Sequence, residues 1–223
     1  MSSPHKNRVD PWGNLNAVRA HGKMMGNRGI LHEGQEIVRQ WRSKAWVTCL
    51  LDTPAKLKPR KPFSPGTYSE LFFLDEATAF AAGHRPCRYC QRPRFDLFKS
   101  VWVDANAPSQ ATTPLIGDID KVLHCERIDA DRRKVAHERR LADLPTGTFF
   151  EFEGDALMIW ENHLLRWSFD GYTLHRKLPA DEWVTVLTPA SIVRLFQSGY
   201  VPCIHPSAAE ALGLQPVASS SPR

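Results

Sequence analysis

Four apolar residues in a row, Leu71-Phe72-Phe73-Leu74, are followed at once by a run with a different rhythm. The tetrad predicts a short strand. Asp75 stands where a helix N-cap is wanted, and Glu76 adds negative charge in the first turn. Ala77 to Ala82 is a run of mostly good helix formers, and Gly83 supplies the stop. Pro86 then stiffens a turn that presents Cys87-Arg88-Tyr89-Cys90.

The rest of the chain is patterned around this segment. Met1 to about Asp10 is polar and reads as loose, and Asp10-Pro11-Trp12-Gly13 reads as a turn. Ile37 to Ala45 reads as a short helix or an extended lead-in. Trp46 to Leu51 reads as a strand on its β-branched and aromatic content, because periodicity alone does not separate strand from helix there. Beyond the cysteines, Phe95, Phe98, Val101 and Trp102 recur at helical spacing and predict a helix over Arg92 to Trp102. Ile119 to Leu141 carries charges of alternating sign over a thin apolar stripe and reads as an exposed helix. From Leu144 the period changes. Phe149 to Phe152, Ala156 to Trp160, Leu164 to Trp167 and Trp183 to Leu187 read as strands of an antiparallel meander. Thr188-Pro189 opens a last helix through Gln197, with threonine as cap and Gly199 as the stop.

These elements predict an α+β fold: a small zinc-stapled α/β module, a helical connector, and an antiparallel meander closed by a helix. The boundaries drawn are 1–104 for the module with its N-terminal extension, 105–143 for linker and connector, 144–206 for the β-rich region and 207–223 for a frayed tail. The pattern leaves open whether the two main parts pack as one unit. Gly83-His84-Arg85-Pro86-Cys87 is echoed by Gly199-Tyr200-Val201-Pro202-Cys203, five residues that are too few to establish a duplication.

Composition narrows the class. A hydrophobic content of 42% with 24% charged residues excludes wholesale disorder. A net charge of +5 permits a nucleic-acid partner without requiring one. No stretch approaches a membrane span and no apolar leader opens the chain, so the expected setting is cytoplasmic, with no membrane partner. The odd count of five cysteines argues against a disulfide framework and leaves thiols for a metal.

Cys87 and Cys90, two residues apart on a turn after a helix stop, form half of a tetrahedral thiolate site. Cys49, on an upstream strand, is the natural third ligand. The fourth is not fixed by spacing: His32 and Asp52 are the leading candidates, and His84, Cys125, Cys203 and His205 are chemically able. For Cys125 and Cys203 the plainer reading is a buried small hydrophobe. Gly26-Asn27-Arg28-Gly29 lacks the spacing of any phosphate-binding motif and reads first as a turn.

Phe72-Phe73, Glu76-Ala77 and the ending Ala81-Ala82-Gly83-His84-Arg85-Pro86-Cys87-Arg88-Tyr89-Cys90 resemble the zinc-binding domain of the Ada family, which repairs alkylated DNA. The resemblance spans Trp46 to Arg92 and is densest over its last 20 residues. It implies a zinc site, and it gives Cys49 the place of the cysteine that accepts a methyl group from a DNA phosphotriester. The second upstream cysteine of that pattern falls at Thr53. A neutral ligand in its place lowers the negative charge that makes a zinc-bound thiolate nucleophilic, so the fold and the metal carry over further than methyl transfer.

The functional expectation is a zinc protein that binds DNA ahead of RNA, in DNA damage handling or genome maintenance. Lys56, Lys58, Arg60, Lys61, Arg85, Arg88, Arg92 and Arg94 are the expected phosphate contacts, and Trp46 or Tyr89 could stack on bases or pack the module. The alternative is a metal-dependent enzyme using His124, Glu126 and His137, with the zinc turn purely structural. A third reading is an adaptor presenting Trp160, Trp167 and Trp183. No protein partner, substrate or oligomeric state is legible.

Overall fold

The computed structural model describes residues 4–51, 61–107 and 112–214, and they form an α+β architecture. From the N-terminus run β1 (Arg8–Val9), β2 (Leu15–Asn16), β3 (Met24–Asn27), the hairpin β4 (His32–Glu33) and β5 (Glu36–Ile37), β6 (Val47–Leu50) and β7 (Leu71–Phe73). Then come α1 (Glu76–Ala81), β8 (Arg85–Pro86), α2 (Arg92–Asn106) and α3 (Ile116–Arg127). The second half holds β9 (His137–Arg140), β10 (Phe149–Phe152), β11 (Asp155–Trp160), β12 (His163–Ser168), β13 (Gly171–His175), β14 (Trp183–Val186), α4 (Ala190–Gln197) and α5 (Ser207–Ala211).

One sheet runs β2-β1-β7-β3-β6-β8 and is mixed, with β1–β7 and β6–β8 parallel. The other runs β13-β12-β11-β10-β14-β9 and is antiparallel throughout, the expected meander. Helix α1 lies at the centre of both. Every one of its residues is buried. Ala77 and Ala81 share a core cluster with Phe149, Met158 and Leu165 of the meander. Ala79 and Ala82 share another with Met24, Leu71 and Phe73 of the mixed sheet. Phe80 points a third way, into Phe98 and Trp102 of α2 and Phe196 of α4. A helix buried all round has no polar face to offer, and small side chains let its neighbours approach on several sides. Phe80, T-shaped to Phe196 and Tyr200 at 5.5 Å, supplies the large anchor, worth about 1.5–3 kcal/mol in burial alone. Through α1 the N-terminal and C-terminal parts share their cores.

The cap of α1 joins them as well. Asp75 Oδ1 accepts from the Thr78 amide and hydroxyl at 2.8 and 2.7 Å, while Oδ2 accepts from Tyr172 Oη at 2.7 Å and the His205 amide at 2.9 Å. Burial raises the Asp75 pKa, and these bonds oppose the rise. At the other end Gly83 has φ +82°, and a Cβ built there would lie 2.4 Å from Cδ of Arg127. Gly83→Ala is therefore expected to destabilise by at least about 1–2 kcal/mol from the left-handed backbone alone. Urea unfolding of the two proteins measures it, and an unchanged midpoint would contradict the packing described.

Three sequence expectations are corrected. The helix expected over Ile119 to Leu141 ends at Arg127, and His137–Arg140 is instead an edge strand paired with β14. Its side chains are mostly exposed, so charge does not oppose a strand there, and the ladder supplies its hydrogen bonds. Thr188 does not cap α4: its hydroxyl accepts from the Phe149 amide at 2.9 Å. The tail is not wholly frayed, since Ser207–Ala211 is helical and buries Ala208 in the meander core. Residues 215–223 lie outside the described residues.

Candidate metal centre

Sheet register brings the first two cysteines together. β6 and β8 are parallel, with Val47 opposite Arg85 and Thr48 opposite Pro86. The next step of that register sets Cys49 beside Cys87, and the Cys87 amide donates to Thr48 O at 2.9 Å. The turn supplies the third. Gln91 donates its amide to Cys87 O at 3.0 Å, and its buried Nε2 donates to Thr48 O at 2.8 Å, pinning the turn to β6. The Sγ atoms of Cys49, Cys87 and Cys90 lie within 4.8 Å of one another. A tetrahedral ion with bonds of about 2.3 Å to sulfur needs thiolates about 3.8 Å apart, so the three can hold a metal with little adjustment.

The three sulfurs hydrogen-bond to one another, and their titration is shifted in opposite directions. Cys87 is held below the usual thiol range by side-chain hydrogen bonds from Cys49 and Cys90, with the Cys90 and Tyr89 amides also donating to it. Cys49, which donates to Cys87, is pushed up, and burial adds to the rise. Cys90 is raised on balance: the Cys49 contact pulls it down, while the Cys87 contact and burial push it up. A divalent cation would favour the ionised form of all three. All three are only half-buried, so the centre lies at the protein surface.

The other proposed ligands are elsewhere. His32 is buried on β4, where Nδ1 hydrogen-bonds Ser69 Oγ at 2.7 Å and the ring stacks on Phe63 at 4.9 Å. It belongs to no metal-ligating group among the described residues. His84 is fully buried and accepts from Arg28 Nε at 3.2 Å. Cys125 and Cys203 are exposed rather than buried, and neither joins the cluster. Asp52 lies outside the described residues, as do Lys56, Lys58 and Arg60.

The basic residues divide into two sets. Lys61, Arg88 and Arg92 are exposed, and Arg92 pairs with Asp96 at 3.7 Å. Arg85 is not available to a surface ligand: it is 6% exposed and doubly bonded to Asp120. Arg94 is occupied by the Glu76 carboxylate and by Val201 O, over the Tyr200 ring. Sequence spacing missed both, because the partners lie far along the chain. Trp46 is 3% exposed and packs, whereas Tyr89 is 75% exposed beside the cysteines. Of the tryptophans considered for an adaptor surface, Trp160 and Trp167 pack against the meander core and Trp183 is exposed.

The enzyme candidates each have a structural occupation. His124 packs edge-on to Trp41 at 4.6 Å, and burial pulls its pKa down to about 4. Glu126 accepts from the Ser191 amide and hydroxyl at the start of α4, favourable company for a helix N-terminus. His137 Nε2 lies 3.1 Å from Thr188 O. They form no metal-ligating group among the described residues.

No protein-family model, no curated protein and no solved structure matches the chain. No helix among the described residues is long and apolar enough to cross a membrane.

Proposed function

We propose that this chain is a zinc protein that contacts DNA through the surface around the cysteine turn, with a role in DNA damage handling or genome maintenance. The observation that carries the reading is the convergence of the Cys49, Cys87 and Cys90 sulfurs. Zinc is the ion that three thiolates on a β-strand and a tight turn suit best, and the cysteine usage fits a reducing, cytoplasmic setting. The half-exposed centre carries Arg88, Tyr89 and Arg92 on or next to its turn. Two cations and a flat ring at a surface metal offer phosphate contacts and a stacking platform. The likeness of the Phe72 to Cys90 segment to the Ada zinc domain supports the same reading. Three protein sulfurs leave one tetrahedral position for a further ligand.

A salt titration of duplex binding tests this. With Arg88 and Arg92 each neutralising a phosphate, log K is expected to fall against log salt with a slope of about −1.8. Arg88→Ser should make that slope about one unit shallower. Duplex RNA in competition should displace DNA only weakly. No binding at 50 mM salt, or binding indifferent to salt, would sink the DNA reading and leave the metal centre standing.

A further inference from the structure

Away from the cysteines, a cavity of about 190 Å³ opens between the loop after β1, the end of β3 and the C-terminal end of α3. Arg28, Arg127, Arg132, Lys134 and Lys6 line it, and no carboxylate does among the described residues. Arg28 and Arg127 are 1% and 2% exposed, and their guanidiniums lie 3.9 and 4.0 Å from the centroid of the Trp46 ring. Backbone carbonyls hold them in place. Arg28 Nη1 donates to Gly13 O at 3.0 Å, and Arg127 donates to Gly83 O and Lys44 O at 2.7 and 2.6 Å. Arg28 Nη2 and Arg127 Nε are buried with no partner among the described residues. Lys134 reaches inward to Ala81 O.

Buried guanidiniums are ordinarily paired with carboxylates, because desolvating a cation is costly. Here that pairing is incomplete. Asp10 is the carboxylate acting on Arg28 and Lys134, and it already accepts from Asn14 and Asn16. Asp120 acts on Arg127, yet both of its oxygens are bonded to Arg85. Burial without full pairing disfavours the charged forms. Burial, with Arg28 pushing the same way, lowers Lys134 to about 7, and burial lowers both guanidiniums to about 9. Placing cations so close costs stability unless an anion offsets them.

We propose that this cavity is a binding site for a phosphate group, taken by Arg28, Arg127 and Lys134 with Lys6 and Arg132 at its mouth. Two buried guanidiniums and the half-buried Lys134 ammonium match a dianion better than a single carboxylate, and guanidinium forks with a lysine point charge are the usual phosphate donors. The volume falls below the roughly 300–1,000 Å³ of ordinary ligand pockets, so it admits a phosphate with a small substituent. Trp46 and Trp12 give the walls an apolar part. The site does not depend on the DNA reading, since it shares no residue with the cysteine turn.

Inorganic phosphate is the first probe, titrated calorimetrically into the full chain with ionic strength fixed by sodium chloride. A hundredfold excess over Kd should raise Tm by about 5–10 °C. Lys134→Met should weaken phosphate about tenfold to a hundredfold, the loss of one charge-assisted bond. Arg132→Gln, at the exposed rim, should weaken it a few-fold and guards against a folding defect in the first variant. Glycerol 3-phosphate and glycerol, run in parallel, distinguish free phosphate from a small phosphate monoester as the source. Phosphate acting no differently from chloride, both variants binding like wild type, or succinate matching phosphate would each overturn the assignment.

Discussion

Purified under reducing conditions, the chain should carry about one zinc per molecule, and Cys87→Ser or Cys90→Ser should reduce this to background. These two cysteines and Cys49 are the ligand atoms that converge among the described residues, so losing one sulfur removes a third of that cluster. Structural zinc sites in small domains contribute roughly 10–16 kcal/mol of apparent binding energy, which is folding energy wherever the apo form does not hold the site. Here the sheet holding it is slight. β8 is two residues long, and its parallel pairing with β6 covers two positions. Without the ion, the Cys87 amide and the Gln91 side chain, both bonded to Thr48 O, must keep the turn against the strand. Chelation should therefore lower Tm by at least about 5 °C, consistent with a loss of a few kcal/mol in a chain of this size. Cys125→Ser and Cys203→Ser serve as controls and should keep the metal, since neither lies in the cluster. Elemental analysis with calorimetry before and after chelation decides it. Full metal content in Cys87→Ser would end the claim that these sulfurs bind an ion.

The parts of this site that were legible in the sequence are those whose causes are local. Asp75 caps α1 because its side chain reaches an amide three residues away, and Gly83 stops the helix because only its own backbone has to turn left-handed. The spacing of Cys87 and Cys90 is itself a local geometry. Cys49 reads as the third ligand from its place on an upstream strand, and what brings it in is a register shared by Val47 with Arg85 and Thr48 with Pro86. Two-residue strands such as β1, β2 and β8 carry no periodicity to detect. The same limit hides burial of charge. Arg85 and Arg94 look like surface cations because their carboxylate partners, Asp120 and Glu76, are 35 positions later and 18 positions earlier. Arg28, Arg127 and Lys134 come from three separate segments, so no window of sequence contains their cavity. β9 was misread for a related reason: alternating charges suit an exposed helix and an exposed edge strand equally, and only the partner strand β14 decides between them.

The Arg85–Asp120 pair, which the sequence could not reveal, should be the most damaging single interaction to break. Arg85 Nε and Nη2 donate to the two Asp120 oxygens at 2.7 Å each, and the side chains are 7% and 8% exposed. The pair spans from β8, two residues before Cys87, to the buried face of α3. Asp120→Ala leaves a buried guanidinium with Pro86 O at 3.2 Å as its remaining hydrogen bond among the described residues and the Phe95 ring 5.6 Å away. An uncompensated buried charge of this kind costs about 3–5 kcal/mol. It also withdraws the negative charge that acts on Arg127 across the same region. Replacing both partners with apolar residues, as in Arg85→Met with Asp120→Leu, should recover most of the loss, because neither desolvated charge then remains. That recovery separates a charge effect from simple loss of packing. Urea unfolding of the two single variants and the double variant gives the coupling energy. Since β8 positions Cys87, Asp120→Ala should also shed its metal faster under a chelator than wild type, whereas the double variant should hold it longer than either single. Additive losses in the double variant would show that the pair is not acting as a buried unit, and unchanged metal release in Asp120→Ala would show that α3 does not brace the cysteine turn.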